Sequence, residues 1–381
     1  MRILYVISRL DQAGPVNQLY DLITNLPKDK YQGKVLTLQP EGEQSRINDF
    51  LSQGIEVSSL LISSKLSFQK KVEGLNKEVE AYKPDIIHSE CLPADLVVAA
   101  CRGRGAKKVT TMHCDIYTDY PILKRGAFSI PILPGLLVSL HQKSLKKFDL
   151  LIACSETLKK IYEERFSEVC AVQNGISTKK FFYEEHAEDR RKLLGLREDL
   201  PVVLVVGSLD ERKNTEFIVR ALKDATMDPV HPFQLVFLGE GKLLESLKRR
   251  TVGTGVIFRG KVTNVQEYMS CADIFLSASR SEGLPLVVLE AGCCGMKMVL
   301  SAIPQHKEIF ENQEGEDVFF FEPEREEDLR EKMLLCLQKV DNSKGISEYF
   351  CQRFGAERMA KEYREVYDTI GNQSDLMEEG N

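Results

Sequence analysis

The sequence predicts an α/β protein made of two doubly wound, Rossmann-like domains. Three observations carry this reading. The chain has 381 residues, more than a single core comfortably serves and enough for two. Short, almost continuously apolar runs alternate with helical patterns along most of its length, as expected of parallel strands covered on both faces. That rhythm lapses once, over 177–197, in a charged stretch interrupted by Phe181-Phe182-Tyr183, and resumes at Pro201.

In the first half, strand patterns fall at 2–8, 34–38, 85–88, 108–112, 150–154 and 170–173. A loop through Gly14 and Pro15 leads into a helix over about 16–26, and further helices are expected at 92–104 and 156–165. Ser155 stands where an N-cap is wanted for the last of these. In the second half the strands fall at 202–206, 234–238, 256–259, 274–278, 297–301 and 317–321, with helices starting near Asn214, Lys242, Val265, Leu286 and Glu326. A final helix from Ala356 to about Thr369 sets Met359, Tyr363, Val366, Tyr367 and Ile370 at helical spacing, and 371–381 reads as a disordered tail. The expected domains are 1–180 and 181–355. Ligands of open parallel sheets bind beyond the carboxyl ends of the strands, so a cleft between two such edges is the expected site.

Composition narrows the function. Hydrophobic residues make up 43% and charged residues 28%, with a net charge of −6. That balance suits a soluble enzyme and gives no overall attraction for nucleic acid. None of the ten cysteines forms a C-x-x-C pair or a zinc spacing. Cys101, Cys154, Cys271, Cys293, Cys294 and Cys336 lie in apolar stretches and read as small buried thiols of a reducing, cytoplasmic compartment. No signal peptide pattern opens the chain, and no apolar run approaches the roughly 18 residues of a membrane span. Over 124–147, apolar residues mix with Lys124, Arg125, His141, Lys143, Lys146 and Lys147. This reads equally as a solvated helix face or as a flank suited to peripheral contact with the inner face of a membrane.

The sharpest signal is Ser281-Glu282-Gly283-Leu284-Pro285-Leu286-Val287-Val288-Leu289-Glu290. One glutamate ends a strand in a Gly/Pro turn, and a second follows on the helix that the turn opens. Gly283 permits close backbone approach, and the Leu284, Leu286 and Val287 amides stand where helix-start donors can meet phosphate oxygens. Two carboxylates beside such donors suit hydroxyl-rich groups, one sugar and one ribose. Alone, two glutamates would read as solvated; the strand–turn–helix setting changes that. Arg212 and Lys213 precede a helix expected at Asn214 or Thr215, and two cations at a helix N-terminus suit a pyrophosphate.

The glutamate segment matches the E-x7-E motif of retaining glycosyltransferases of the GT-B fold, and the chain resembles glycosyltransferase family 4. Val206-Gly207-Ser208-Leu209 with Arg212-Lys213-Asn214 resembles the family's donor-phosphate segment, and Leu238-Gly239-Glu240-Gly241 its G-[DE]-G turn. The stretch 256–262 resembles the base-binding strand and loop, 272–277 the strand leading to E-x7-E, and Gln173-Asn174-Gly175-Ile176 the turn before the interdomain linker. The resemblance implies a GT-B fold whose two Rossmann-like domains face each other across a cleft. It implies an N-terminal acceptor domain on which a C-terminal helix (356–375) packs back, and a C-terminal nucleotide-sugar domain. The implied reaction is retaining transfer from a nucleotide diphosphate-sugar, UDP-sugars foremost, to a glycan, lipid-linked or protein acceptor in surface polysaccharide or glycoconjugate synthesis. The implied catalytic residues are His113, Arg212, Lys213 and Glu282. Gly14, Ser208, Glu240, Gly241, Lys261, Val262, Gly283, Leu284, Pro285, Leu286 and Glu290 are the implied donor-binding residues.

Departures from the family pattern are few. Ser208 stands where arginine is common, Ala13 replaces one glycine of a Gly-Gly pair before Pro15, and Cys114 replaces an acid after His113. His88 reads as structural. No D-x-D pair occurs to hold a divalent ion on a diphosphate, so neither metal nor cofactor is expected. A dinucleotide oxidoreductase would need G-x-G-x-x-G after a first strand, which is missing. A pyridoxal phosphorylase has no signature here. A non-catalytic homologue acting as partner to another transferase is argued against by the intact Glu282, Glu290, Arg212 and Lys213.

Overall fold

In a computed structural model of the chain, all residues are described except 64–66, 124–133, 186–188, 311–316, 340–341 and 379–381; for 120–123, 134 and 372–378 only the backbone is described. Lys124 and Arg125 of the basic segment therefore lie outside the described residues. The chain forms two compact units, Met1–Gly175 with Ala356–Asn381, and Ile176–Gly355.

The first unit carries seven parallel strands: β1 (Arg2–Ile7), β2 (Gln32–Thr37), β3 (Glu56–Ser59), β4 (Ile86–Glu90), β5 (Lys107–Met112), β6 (Leu150–Ala153) and β7 (Val169–Ala171). Their order in the sheet is β3-β2-β1-β4-β5-β6-β7. Chain order reverses between β1 and β4, where ligands of doubly wound sheets bind. β1 is paired on both sides, Leu4 with Lys34 and with Ile87. Its Ile3, Leu4, Tyr5 and Val6 are wholly buried because helices cover both faces. β3 was not expected: Glu56, Ser58 and Ser59 give an edge strand too polar to stand out. Ser155 caps its helix as expected, with its Oγ accepting from the Leu158 N–H at 3.1 Å.

The last helix runs Ala356–Glu378. The disordered tail expected from 371 is thus corrected, since the helix continues to Glu378. Met359, Tyr363, Tyr367 and Ile370 are buried on the first unit, in one cluster with Tyr5, Leu19 and Leu22. Each such burial stabilises by roughly 1.5–3 kcal/mol. Gln18 Nε2 donates to the Tyr363 hydroxyl at 3.2 Å, and the Tyr367 hydroxyl lies 2.7 Å from His88 Nδ1.

The second unit carries β8 (Val202–Val206), β9 (Gln234–Leu238), β10 (Val256–Phe258), β11 (Ile274–Ser277), β12 (Lys297–Ser301) and β13 (Val318–Phe321). All are parallel, in the order β10-β9-β8-β11-β12-β13. Here the reversal falls between β8 and β11. Phe217, Phe237, Phe321, Leu222 and Met333 fill one face of the core. Several helices went unread in the sequence, Ile47–Ser52 and Arg190–Leu193 among them. Phe68–Tyr82 buries Leu75 and Val79 in the first unit, and Pro304–Ile309 and Ser343–Phe354 lie in the second.

Candidate functional site

In the second unit, both loops at the reversal point carry charge. β8 ends at Val206 and β11 at Ser277, so their loops leave side by side from the carboxyl edge. Gly207 (φ +143°) and Gly239 (φ +141°) turn the chain there. A Cβ on Gly239 would stand 1.9 Å from the Gly207 carbonyl oxygen, so only glycine lets these backbones meet.

Three side chains converge. Arg212 Nη1 donates to Glu282 Oε2 at 2.9 Å and to the Ser281 carbonyl at 3.1 Å. Lys213 Nζ donates to Glu282 Oε1 at 2.6 Å. Glu282 is buried, while the two cations keep some exposure. Burial pushes the Glu282 carboxyl up, but Lys213 and Arg212 outweigh it and hold it well below the usual carboxylate range. The neighbouring loop is latched by a residue that the sequence reading missed. The Arg280 N–H donates to the Arg212 carbonyl at 2.9 Å, and its guanidinium reaches the Glu211 carbonyl and Glu324.

The helix Thr215–Leu222 starts directly after Lys213-Asn214. Asn214, its N-cap residue, is left-handed (φ 55°, ψ 36°), and its amide bonds Glu324 at 3.0 Å rather than capping the helix. The Thr215 Oγ1 is buried without a partner. A small cavity at this edge is lined by Gly207, Ser208, Lys213, Thr215, Ser277 and Ala278. An unsatisfied helix start, an unpaired buried hydroxyl and two cations make a ready anion site.

The remaining expected residues of this unit lie on loops at the same edge or on the helix beyond. The Ser208 hydroxyl donates to Asp210 at 2.6 Å. Glu240 and Gly241 follow β9, and a Cβ on Gly241 would collide with Leu209 backbone. Lys261, exposed, and Val262, half-buried, follow β10. Gly283, Leu284 and Pro285 form the buried turn into the helix Leu286–Cys293, which carries Glu290. The first amides of that helix, Leu286 and Val287, meet no backbone acceptor among the described residues.

In the first unit, Gly14 begins the helix Gly14–Asn25 beyond β1, with Pro15 in its first turn. His113 follows β5, and its Nε2 lies 2.5 Å from Oε2 of Glu90, the last residue of β4. Glu90 is wholly buried, and burial pushes its carboxyl up. The sequence reading stopped this strand at His88 and so missed Glu90. The available signal was a lone acid directly after an apolar strand. His88 is buried between Tyr367 and Thr111, and burial pushes it down to about 3. Among the described residues, no group of His, Cys, Asp and Glu side chains has the arrangement to hold a metal ion.

Two parallel-sheet α/β units, the second with Arg212, Lys213 and Glu282 gathered at its reversal point, fit the GT-B class of glycosyltransferase. Comparison with known proteins agrees. The model for Glycosyltransferase Family 4 matches residues 13–180, and that for Glycosyl transferases group 1 matches 200–339. The O-antigen biosynthesis glycosyltransferase WclY of Escherichia coli is 23% identical over 380 residues, covering 97% of this chain and 99% of its own. A UDP-Gal:alpha-D-GlcNAc-diphosphoundecaprenol alpha-1,3-galactosyltransferase of Escherichia coli is 23% identical over 66% of each chain. Among solved structures, HepE of Anabaena in complex with UDP and glucose superposes with a TM-score of 0.80 at 17% identity, covering 97% of this chain and 100% of its own. The chain belongs to the family 4 type of GT-B glycosyltransferases.

Proposed function

We propose that this protein is a retaining, metal-independent transferase that moves a hexose from a UDP-sugar to a glycan or lipid-linked acceptor in surface polysaccharide synthesis. The supporting observation is the cluster of Arg212, Lys213 and Glu282 beside the open start of the helix Thr215–Leu222. Sugar transfer leaves a diphosphate with growing negative charge, so fixed cations and helix amides at that point stabilise the transition state without a metal. When the cations turn to the diphosphate, Glu282 is released to accept a sugar hydroxyl, and Glu290 takes the ribose. Ser208, Glu240, Gly241, Lys261, Val262 and the turn Gly283-Leu284-Pro285-Leu286 complete the donor pocket. On the first unit, Gly14 and His113 are the candidate site residues. With no protein nucleophile in this set, the acceptor hydroxyl attacks on the face that the leaving group vacates, and the departing phosphate takes its proton. The choice of donor and acceptor is supported by the UDP and glucose held by HepE and by the names of the O-antigen and diphosphoundecaprenol relatives.

Donor hydrolysis is the direct test. The purified protein should release UDP slowly from UDP-glucose, UDP-galactose or UDP-N-acetylglucosamine in the presence of a chelator. Thermal stabilisation by GDP but not UDP would overturn the base, and dependence on a divalent ion would overturn the metal-free reading. Among the described residues, no helix is long and apolar enough to cross a membrane. On the helix Pro134–Leu145, Leu136 and Leu140 are exposed, and Lys143, Lys146 and Lys147 are exposed at and just beyond its end. We place this stripe against anionic lipid. Sedimentation with phosphatidylglycerol vesicles, lost in Lys143→Glu/Lys147→Glu, checks it.

A further inference from the structure

Glu90 sits at the start of the helix Cys91–Ala100, yet its side chain makes no capping bond. Instead the carboxylate turns to the end of β5, where Oε2 meets His113 Nε2 at 2.5 Å. The turn that aims it is tight, because Cys91 adopts φ 70°, a left-handed conformation rarely taken by a residue with a side chain. The other oxygen, Oε1, is buried without a hydrogen-bond partner. His88 Nε2 approaches it at 3.5 Å but is engaged by the Thr111 hydroxyl at 2.8 Å. The loop after His113 is fixed as well, since the Tyr162 hydroxyl donates to the Cys114 carbonyl at 2.9 Å. Among the described residues, the one hydrogen-bond partner of the Glu90 carboxylate is therefore His113.

We propose that Glu90 is a positioning residue that locks His113 in the tautomer with its proton on Nε2. A carboxylate accepts only, so Nε2 must donate, and the neutral ring then presents Nδ1 as a bare lone pair. Among the described residues, Nδ1 has no protein partner. It stands at the carboxyl edge of the first sheet, one strand from the reversal point, where ligands of this fold bind. The locked ring is an obligate acceptor, so it selects a sugar that offers a hydroxyl proton at that position and rejects one that offers only an ether or carbonyl oxygen. This inference rests on the reading of His113 as a site residue.

Two readouts test it on the full chain. In side-chain nitrogen NMR at pH 8, His113 should show a protonated Nε2 and an unprotonated Nδ1. In Glu90→Ala the two tautomers should mix, while Glu90→Gln, whose amide oxygen still accepts, should keep the original one. UDP-glucose hydrolysis should fall by about tenfold or more in Glu90→Ala, the scale of one lost hydrogen bond, and stay within a few-fold of the parent in Glu90→Gln. A protonated Nδ1 in the parent, or an unchanged tautomer in Glu90→Ala, overturns the lock. Should Glu90→Ala fail to fold, the parent spectrum and Glu90→Gln still decide. His113→Ala separates the two failures. If it leaves hydrolysis unchanged, the site reading falls. If it abolishes hydrolysis while Glu90→Ala does nothing, only the positioning role falls.

Discussion

The two units solve the same problem, placing charge at the carboxyl edge of a parallel sheet, in opposite ways. In the second unit, two cations share one buried carboxylate at 2.9 and 2.6 Å, and each keeps enough exposure to turn toward a ligand. In the first, one buried carboxylate holds one imidazole at 2.5 Å, and its second oxygen is unsatisfied. On the proposed reading the former arrangement exchanges partners, with a diphosphate replacing Glu282 on Arg212 and Lys213. The latter cannot, since Glu90 has no other hydrogen-bond donor among the described residues and is out of reach of solvent. A labile cluster suits a donor that comes and goes, and a fixed pair suits a group whose orientation must never change.

The largest effect expected from this contrast is at Glu282. In Glu282→Gln the cations lose their internal anion, so UDP should bind several-fold more tightly. UDP-sugar hydrolysis should nevertheless fall by on the order of 100-fold, because the group that orients the sugar is gone. Calorimetry with UDP and a hydrolysis assay separate the two. If UDP affinity falls in step with turnover, Glu282 does not compete with the diphosphate, and the labile half of the contrast breaks.

Glu290→Ala should act more simply. Its loss removes the proposed ribose contact, so UDP affinity and hydrolysis should both drop by about tenfold, the scale of one hydrogen bond. The melting temperature should hold, because Glu290 is only half-buried. Unchanged UDP binding would remove Glu290 from the donor site.

How far the sequence showed this contrast depended on the kind of side chain involved. All six strands of the second unit were expected, because each is mostly apolar and needs no partner to be seen. β3 was missed because Glu56, Ser58 and Ser59 leave it little apolar pattern. Arg212, Lys213 and Glu282 were expected in one site through the family resemblance of their two segments, and the adjacency of β8 and β11 in the sheet brings those loops together. The Glu90–His113 pair lies 23 positions apart, on β4 and just beyond β5. Neighbouring strands in a sheet bring them together, but only the register, Glu90 opposite Thr111, sets the geometry. The left-handed Cys91 that aims Glu90 leaves no mark in the sequence, because neither glycine nor asparagine stands there to signal a positive φ.

Acid should distinguish the units next. Burial pushes His88 down to about 3 and His306 down to about 4. In each case the unfolded chain, near 6.5, takes up the proton first as the pH falls. The neutral ring therefore contributes its full stability above about pH 6.5 and loses it on the way to the folded value, by about 1.4 kcal/mol per pH unit for each histidine. His88 is bonded at both nitrogens, whereas His306 Nε2 is buried without a partner. His306→Asn removes the titrating ring and should flatten the pH dependence of denaturant midpoints between pH 6.5 and 4.5, whatever it costs at pH 7.5 through the lost bond from Nδ1 to Ser301. A slope equal to that of the parent would show that His306 does not titrate in this way.

The smallest expected effect compares two helix starts. Ser155 has extended backbone, and its hydroxyl accepts from the Leu158 N–H at 3.1 Å. Asn214 is left-handed, and its side chain leaves the helix for Glu324. The first helix is capped by its own side chain, while the second has no side-chain cap. Ser155→Ala should therefore cost about 1 kcal/mol, as losing a side-chain cap does, with no change in UDP binding. Asn214→Gly should cost less, because glycine takes the left-handed conformation without strain, and the lost bond to Glu324 is partly replaced by Arg280, which already holds that carboxylate. Its effect should appear in UDP affinity, because a looser Asn214 lets the helix start and Lys213 drift from the diphosphate. Paired chemical denaturation and calorimetry on the two variants decide the point. If Asn214→Gly costs as much stability as Ser155→Ala and binds UDP unchanged, the second helix start is an ordinary structural cap, and the division of labour between the two units does not extend to their backbone.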